Sequence, residues 1–202
     1  MVDKKPRIRN GICGSGDKGT STLMAGLKLP KSHKVFQIYS AQERVCNTAS
    51  LFQVKYGDYL EPEDAYILKW FIRNLNCLGA FCYTLGEDSN YVFPESFLEK
   101  IEDRILNIFQ PAIGDCEDFL IHEEEPFILL DRVRIEVRDL ERVYQIWKEV
   151  VSGLQDPTGS ILLMSRILNR LSMYLFNLIR YESHKRGLNE NTWSGKVEPF
   201  QP

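Results

Sequence analysis

The sequence has no CxxC pair, and its five cysteines, Cys13, Cys46, Cys77, Cys82 and Cys116, are odd in number. That spacing excludes both a disulfide framework and a cysteine-ligated zinc site, and it suits a reducing compartment. Histidine is scarce. His33, His122 and His184 share no ligand spacing and are taken as ordinary polar residues, so no metal ligands are assigned to side chains. No apolar run approaches the roughly 20 residues that span a bilayer, and no apolar signal core follows Met1 to Lys5. A cytoplasmic protein is expected, or a mitochondrial-matrix one if a transit peptide precedes this numbering. The formal charge of −3 gives no polycationic signature, which argues against nucleic acid and anionic membranes as partners. Repeats and low-complexity tracts are also missing.

What remains is an ordinary globular composition, 44% hydrophobic and 26% charged, in 202 residues, enough for one sizeable core. Helical periodicity dominates it. A first helix is expected from about Val35 to Tyr56, with Val35, Ile38, Val45, Ala49 and Phe52 on one stripe. A second starts near Pro62, a residue suited to a first helical turn, and carries Leu68, Phe71, Leu75, Leu78, Cys82 and Leu85. A short third helix runs from Pro94 to about Phe109, closed by Pro111 and Gly114. The fourth begins at Pro126, carries Leu130, Val133, Val137, Leu140, Tyr144, Trp147 and Val151, and ends at Gly153. After Gln155-Asp156-Pro157 a fifth shows Ile161, Met164, Leu168, Leu171, Leu175 and Leu178 before Gly187. Steps of three and four over three long stripes predict an all-α, five-helix bundle. The single domain divides into an irregular glycine-rich N-terminal segment (1–34), the bundle (35–187) and a loose tail (188–202).

Two constellations carry candidate chemistry. In Gly14-Ser15-Gly16-Asp17-Lys18-Gly19-Thr20-Ser21-Thr22 the glycines let the backbone expose its amides beside a lysine and hydroxyls, a nest for phosphate oxygens. The order is not that of a Walker A loop, because Lys18 precedes the last glycine, and a flexible linker is the competing reading. Arg134, Arg138 and Arg142 form an i, i+4, i+8 row on the fourth helix, costing about 0.2–0.5 kcal/mol per unopposed pair. A bound anion would relieve the row, and so would surface pairing with Asp139 and Glu141. Glu43 borders the apolar stripe of the first helix, where a bundle could bring it against an arginine of the fourth. Glu123-Glu124-Glu125 supplies negative charge to a helix N-terminus.

Ser15-Gly16-Asp17-Lys18-Gly19-Thr20-Ser21-Thr22-Leu23 followed by Gly26 to Lys31 resembles the TGDKGTSSL and GERRPKDD signatures of the PduO-type ATP:cob(I)alamin adenosyltransferases. Arg134 with Arg138-Asp139-Leu140-Glu141-Arg142 resembles their arginine four residues before RRAER. Asn169-Arg170-Leu171-Ser172-Met173-Tyr174-Leu175-Phe176 is similar to NRLSDYLF. The motifs stand in the family order and cover most of the chain.

The resemblance implies a five-helix bundle forming a homotrimer, with ATP held between the N-terminal segment of one copy and the helices of its neighbour. It implies transfer of the 5'-deoxyadenosyl group from ATP to the cobalt of reduced cobalamin, releasing triphosphate. Cys13, Gly14, Ser15, Gly16, Lys18, Ser21, Thr22 and Lys31 would line the nucleotide, with Arg138, Glu141, Arg142 and Asn169. Magnesium would share the triphosphate charge through phosphate and water. Glu43 would pair with Arg134 to position cobalamin and support turnover. Phe119, or Phe127 with a shorter loop, would displace the lower axial ligand of the cobalt.

The departures cluster on the expected corrinoid side. Ile121-His122-Glu123-Glu124-Glu125 replaces the family PGG turn, Met173 replaces an aspartate, Asp139 an arginine, and Glu43 an aspartate. A working transferase is therefore weighed against a catalytically degenerate, trimeric nucleotide-binding sensor or interaction module.

Overall fold

The computed structural model describes residues 16–23, 26–86, 88–116, 120–150 and 159–192. Its helices are α1 (Gln37–Tyr56), α2 (Pro62–Tyr83), α3 (Glu95–Asp103), α4 (Gln110–Ile113), α5 (Glu125–Val150) and α6 (Ser160–Lys185). Because α3 and α4 are one continuous rod joined by the turn Arg104–Phe109, the bundle has the five helices the periodicity predicts. α5 packs along both α1 and α6, and α2 lies against α1.

Each predicted stripe faces the shared core, except that Leu85 of the second lies past the end of α2 in a turn at φ 58° and is half-buried. Ile38, Val45, Ala49 and Phe52 of α1, Leu68, Phe71, Leu75 and Leu78 of α2, and Leu130, Val133, Val137, Leu140, Tyr144 and Trp147 of α5 are all buried, as are the six predicted residues of α6. Full burial of one such side chain is worth roughly 1.5–3 kcal/mol. The two largest buried aromatics also satisfy their polar tips. Trp147 donates Nε1–H to the Cys82 carbonyl at 3.2 Å, and the Tyr144 hydroxyl donates to the Ile161 carbonyl at 3.0 Å.

Helix ends follow from local chemistry. Pro62 stands in the first turn of α2 beside Glu63 and Asp64, whose charge suits the positive helix end. α6 closes in a Schellman arrangement: Gly187, at φ 68°, donates to the His184 carbonyl and Leu188 to that of Ser183. His33 accepts from the Val35 amide at 3.3 Å and caps the short turn Lys34–Phe36 that leads into α1.

Three details differ from the sequence expectation. The third helix does not stop near Phe109 but continues to Ile113, with Pro111 inside it. Its apolar residues Phe97, Ile101, Ile105 and Phe109 recur every fourth position, a repeat that drifts off a 3.6-residue turn. The wider π turn from Arg104 to Phe109 returns them to one face. The N-terminal segment is not wholly irregular: β1 (Thr20–Thr22) and β2 (Lys28–Pro30) form an antiparallel hairpin with Ser21 opposite Leu29, anchored by buried Leu23. In the tail, β4 (Asn191–Thr192) pairs with β3 (Leu120–Ile121), so residues just past α6 clasp the loop before α5. Trp193, Phe200, Val151 and Gly153 lie outside the described residues.

The π turn places Arg104 against the start of α2. Its guanidinium donates Nε–H to Asp64 Oδ1 at 2.9 Å and Nη2 to Asp64 Oδ2, while the Tyr174 hydroxyl donates to the same carboxylate at 2.8 Å. Arg104 is 4% exposed and Asp64 fully buried, so this pair ties α2, the π turn and α6 together inside the protein.

Candidate functional site

The exposed faces of α5 and α6 bound a groove of about 740 Å3, closed at one end by the loop after α4. A volume of that order accommodates a nucleotide-sized or larger ligand. From α5 come Asp131, Arg134, Arg138 and Glu141, at steps of three and four along one face. From α6 come Asn169, Ser172, Met173, Phe176, Asn177 and Arg180 in the same rhythm. Of the predicted site residues, Arg134, Arg138, Glu141 and Asn169 thus line one wall system, although they derive from two separate motifs.

The arginine row divides. Arg142 pairs with Asp139 one turn back and is not among the groove residues. Arg134 donates Nε–H to Asp131 Oδ1 at 2.6 Å, and its guanidinium lies 5.7 Å from the Phe176 ring centre. Arg138 is exposed and forms no ion pair among the described residues. Surface pairing therefore neutralises Arg142 and leaves Arg138 available to an anion. Glu141 does not complete the surface ladder. Burial pushes its carboxyl pKa up, against the pull of Arg138 and Arg142.

The N-terminal ligand candidates form a second cluster. Gly16 and Lys31 meet: a Cβ on Gly16 would lie 2.6 Å from Lys31 Nζ. The Lys31 amide donates to the Gly19 carbonyl at 2.8 Å, and Gly19 adopts φ 71°, a conformation that favours glycine. Ser21 is half-buried in the hairpin, while Lys18 and Thr22 are exposed; the Thr20 hydroxyl is buried with no hydrogen-bond partner among the described residues. Within one chain this cluster does not line the α5–α6 groove. Glu43 is exposed on α1, and among the described residues no ion pair joins it to Arg134, whose partner is Asp131. Cys13, Gly14, Ser15 and Phe119 lie outside the described residues; Phe127 is 4% exposed and belongs to the core.

Several groove residues escaped the sequence reading. His122 lines the groove, its Nε2 3.9 Å from Asp131 Oδ1. Burial lowers its pKa, as does Arg134, while Asp131 and Glu190 act in the opposite direction. Arg180, 3% exposed, donates to the carbonyls of Gly114 at 2.9 Å and Ile113 at 3.1 Å and pairs with Glu190 at 2.6 Å. It fastens the end of α4 and the tail to α6. The Asp131–Arg134 spacing of three was a readable signal; for His122 and Arg180, contact across the fold makes the site and no local pattern announces it.

The protein is thus a helical bundle whose two longest adjacent helices present arginines, an amide and a carboxylate to a ligand-sized groove. The profile of the family described as cobalamin adenosyltransferase matches residues 12–182, and the chain belongs to that family. Its fold is similar to that of a phenylalanine-to-alanine variant of the PduO-type ATP:corrinoid adenosyltransferase from Lactobacillus reuteri complexed with cobalamin and ATP. That likeness has a TM-score of 0.70 at 16% identity, covering 94% of this chain and all of the other. An arginine-to-lysine variant of the Lactobacillus reuteri enzyme, complexed with ATP, gives a TM-score of 0.65 at 18% identity over 93% of this chain and 99% of the other. No curated protein matches the sequence.

Proposed function

We propose that the protein transfers the 5'-deoxyadenosyl group of ATP to cob(I)alamin, forming adenosylcobalamin and releasing triphosphate. The observation that carries this reading is the convergence of Arg134, Arg138, Glu141 and Asn169 on one groove in a chain of this family. The Lactobacillus reuteri relatives bind ATP and cobalamin, the two substrates required.

In the reaction, Co(I) attacks the ribose C5' and forms the cobalt–carbon bond as the C5'–O bond breaks, its electron pair leaving with the triphosphate. The protein's share is stabilisation of that leaving charge by Lys31, Arg138 and hairpin amides. Arg142 joins them only by releasing Asp139. The partnerless Thr20 hydroxyl and the Gly16–Lys31 approach fit a phosphate cradle in the hairpin. Magnesium enters with the substrate as MgATP, its coordination completed by phosphate and water; the described residues offer no cluster of three metal-ligating side chains.

Because the hairpin and the groove stand apart within one chain, the reading assembles each site between two copies of a homotrimer. Exposed Leu51 and Val54 on α1, and Ile128 and Ile135 on α5, supply apolar surface for such contacts and support it. Glu43 then reaches Arg134 across the interface. Free Cys46, Cys77 and Cys82 suit a reducing, cytoplasmic-type compartment, and no helix among the described residues is long and apolar enough to cross a membrane.

Met173, 42% exposed on the groove wall where the family motif has an aspartate, favours the alternative of a nucleotide-binding sensor without transferase activity. Phosphorus NMR separates the two. The transferase releases triphosphate in step with cobalt alkylation; a sensor binds ATP and releases none.

A further inference from the structure

The grip on Arg134 is built into this chain. On one side Asp131, one turn back on α5, takes its Nε–H at 2.6 Å; across the groove the Phe176 ring of α6 lies 5.7 Å from the guanidinium carbon. Both contacts use the inner part of the guanidinium, and among the described residues no hydrogen bond or ion pair engages its Nη atoms. Arg134 and Asp131 are each only 19% exposed in their side chains, so the contact is sheltered from the solvent that weakens surface pairs.

Resting on the transferase reading of the groove, we propose that Asp131 and Phe176 are positioning residues: they fix the Arg134 guanidinium by its Nε edge and its face, and so hold both Nη groups toward the interface where Glu43 of a neighbouring copy and the substrate meet them. A guanidinium free to turn would lose that aim, since a side chain of this length has many rotamers and the fork binds a planar acceptor only when both nitrogens face it. The carboxylate does this without consuming the ligand-binding nitrogens. Arg138, next along the row, is exposed and has no such partner among the described residues.

The test uses the full-length protein as wild type, Asp131→Asn, Asp131→Glu and Phe176→Leu. Two readouts are taken: hydrogen exchange of the Arg134 Nε–H by nitrogen-15 NMR, and the separate kcat and KM for cob(I)alamin and ATP. The expected result is faster Nε–H exchange in Asp131→Asn, with kcat down about tenfold or more while KM for ATP stays within about twofold. Asp131→Glu regains most of both, and Phe176→Leu speeds exchange less. Unchanged Nε–H exchange in Asp131→Asn, or lost protection with unchanged kcat, overturns the proposal. If the wild type binds ATP without transferring adenosyl, the transferase reading fails; the exchange rates then still decide whether Asp131 holds Arg134.

Discussion

The ammonium of Lys31 lies where a side chain on Gly16 would begin, 2.6 Å from that Cβ position, so the hairpin end and the glycine turn form one compact cationic corner. The corner has no side chain at Gly16 because the lysine passes there. An alanine at 16 displaces the flexible end of Lys31 and leaves the bundle untouched. Gly16→Ala and Lys31→Ala should each weaken MgATP binding, the latter by about 1.5–3 kcal/mol, the range for charged hydrogen bonds. The double variant should be little worse than Lys31→Ala, since both act on one ammonium. Calorimetry checks the affinities, and thermal unfolding should move little for these surface positions.

The distance between the hairpin cluster and the groove within one chain leads to a mixing experiment. Lys31→Ala damages only the hairpin half of a site and Arg138→Ala only the groove half. In the proposed homotrimer, mixing equal amounts of the two impaired variants by refolding should raise turnover to up to about a quarter of wild type, because some interfaces then join two intact halves. Variants that mix by mass spectrometry with no gain in turnover would place both halves in one copy.

The buried Asp64–Arg104 pair should dominate the stability of the α2–α6 end. Asp64→Asn removes the charge that faces Arg104 inside the protein and leaves Glu61, at 2.9 Å, and Glu63, at 3.2 Å, as its remaining ion-pair partners. The expected loss is roughly 1.5–3 kcal/mol in urea unfolding, the range for hydrogen bonds to charged groups. Replacing both residues with apolar ones of similar volume should cost less than the two single changes together.

Glu61 and His122 both contribute to the acid side of the stability curve. The Lys185 ammonium, with Arg104 and Tyr181, holds the Glu61 carboxyl down at about 2 from an ordinary 4.5. Unfolding therefore takes up a proton in that window. The stabilisation is complete above about pH 4.5 and is lost as pH falls toward 2. The gap in Tm between wild type and Glu61→Gln should be largest at neutral pH and vanish through that range. Burial lowers the pKa of His122 in the folded protein from the ordinary 6.5, so just below that value the unfolded chain binds more proton than the folded one. Stability should fall as pH drops below about 6.5, and His122→Gln should flatten this part of the curve.

The bundle was largely written in the sequence because its stripes are long: Leu130 to Trp147 on α5 and Ile161 to Leu178 on α6 repeat at three and four for several turns. Phe97, Ile101, Ile105 and Phe109 carried the signal for the π turn in their four-residue spacing, but Pro111 read as a stop because a proline more often ends a helix than opens its last segment. The arginine row was legible as a charge pattern, and its division was not. Asp139 and Asp131 stand at the same i, i−3 spacing to Arg142 and Arg134, yet one pair faces solvent and the other the groove. Only the packing of α6 against α5 decides that. His122 and Arg180 join the site through the loop after α4 and the β3–β4 clasp, contacts between residues about 70 positions apart that no local pattern encodes.

The most direct measurement of the central claim follows the visible spectrum of cobalt after anaerobic mixing of wild-type protein, MgATP and cob(I)alamin. Adenosyl transfer predicts loss of the Co(I) spectrum and growth of a light-sensitive cobalt–carbon product, with Arg138→Ala slower by about tenfold or more, as expected for loss of a charge-stabilising group at the leaving triphosphate. Cobalt that stays unalkylated while calorimetry shows ATP bound would contradict the account and leave the protein a nucleotide binder.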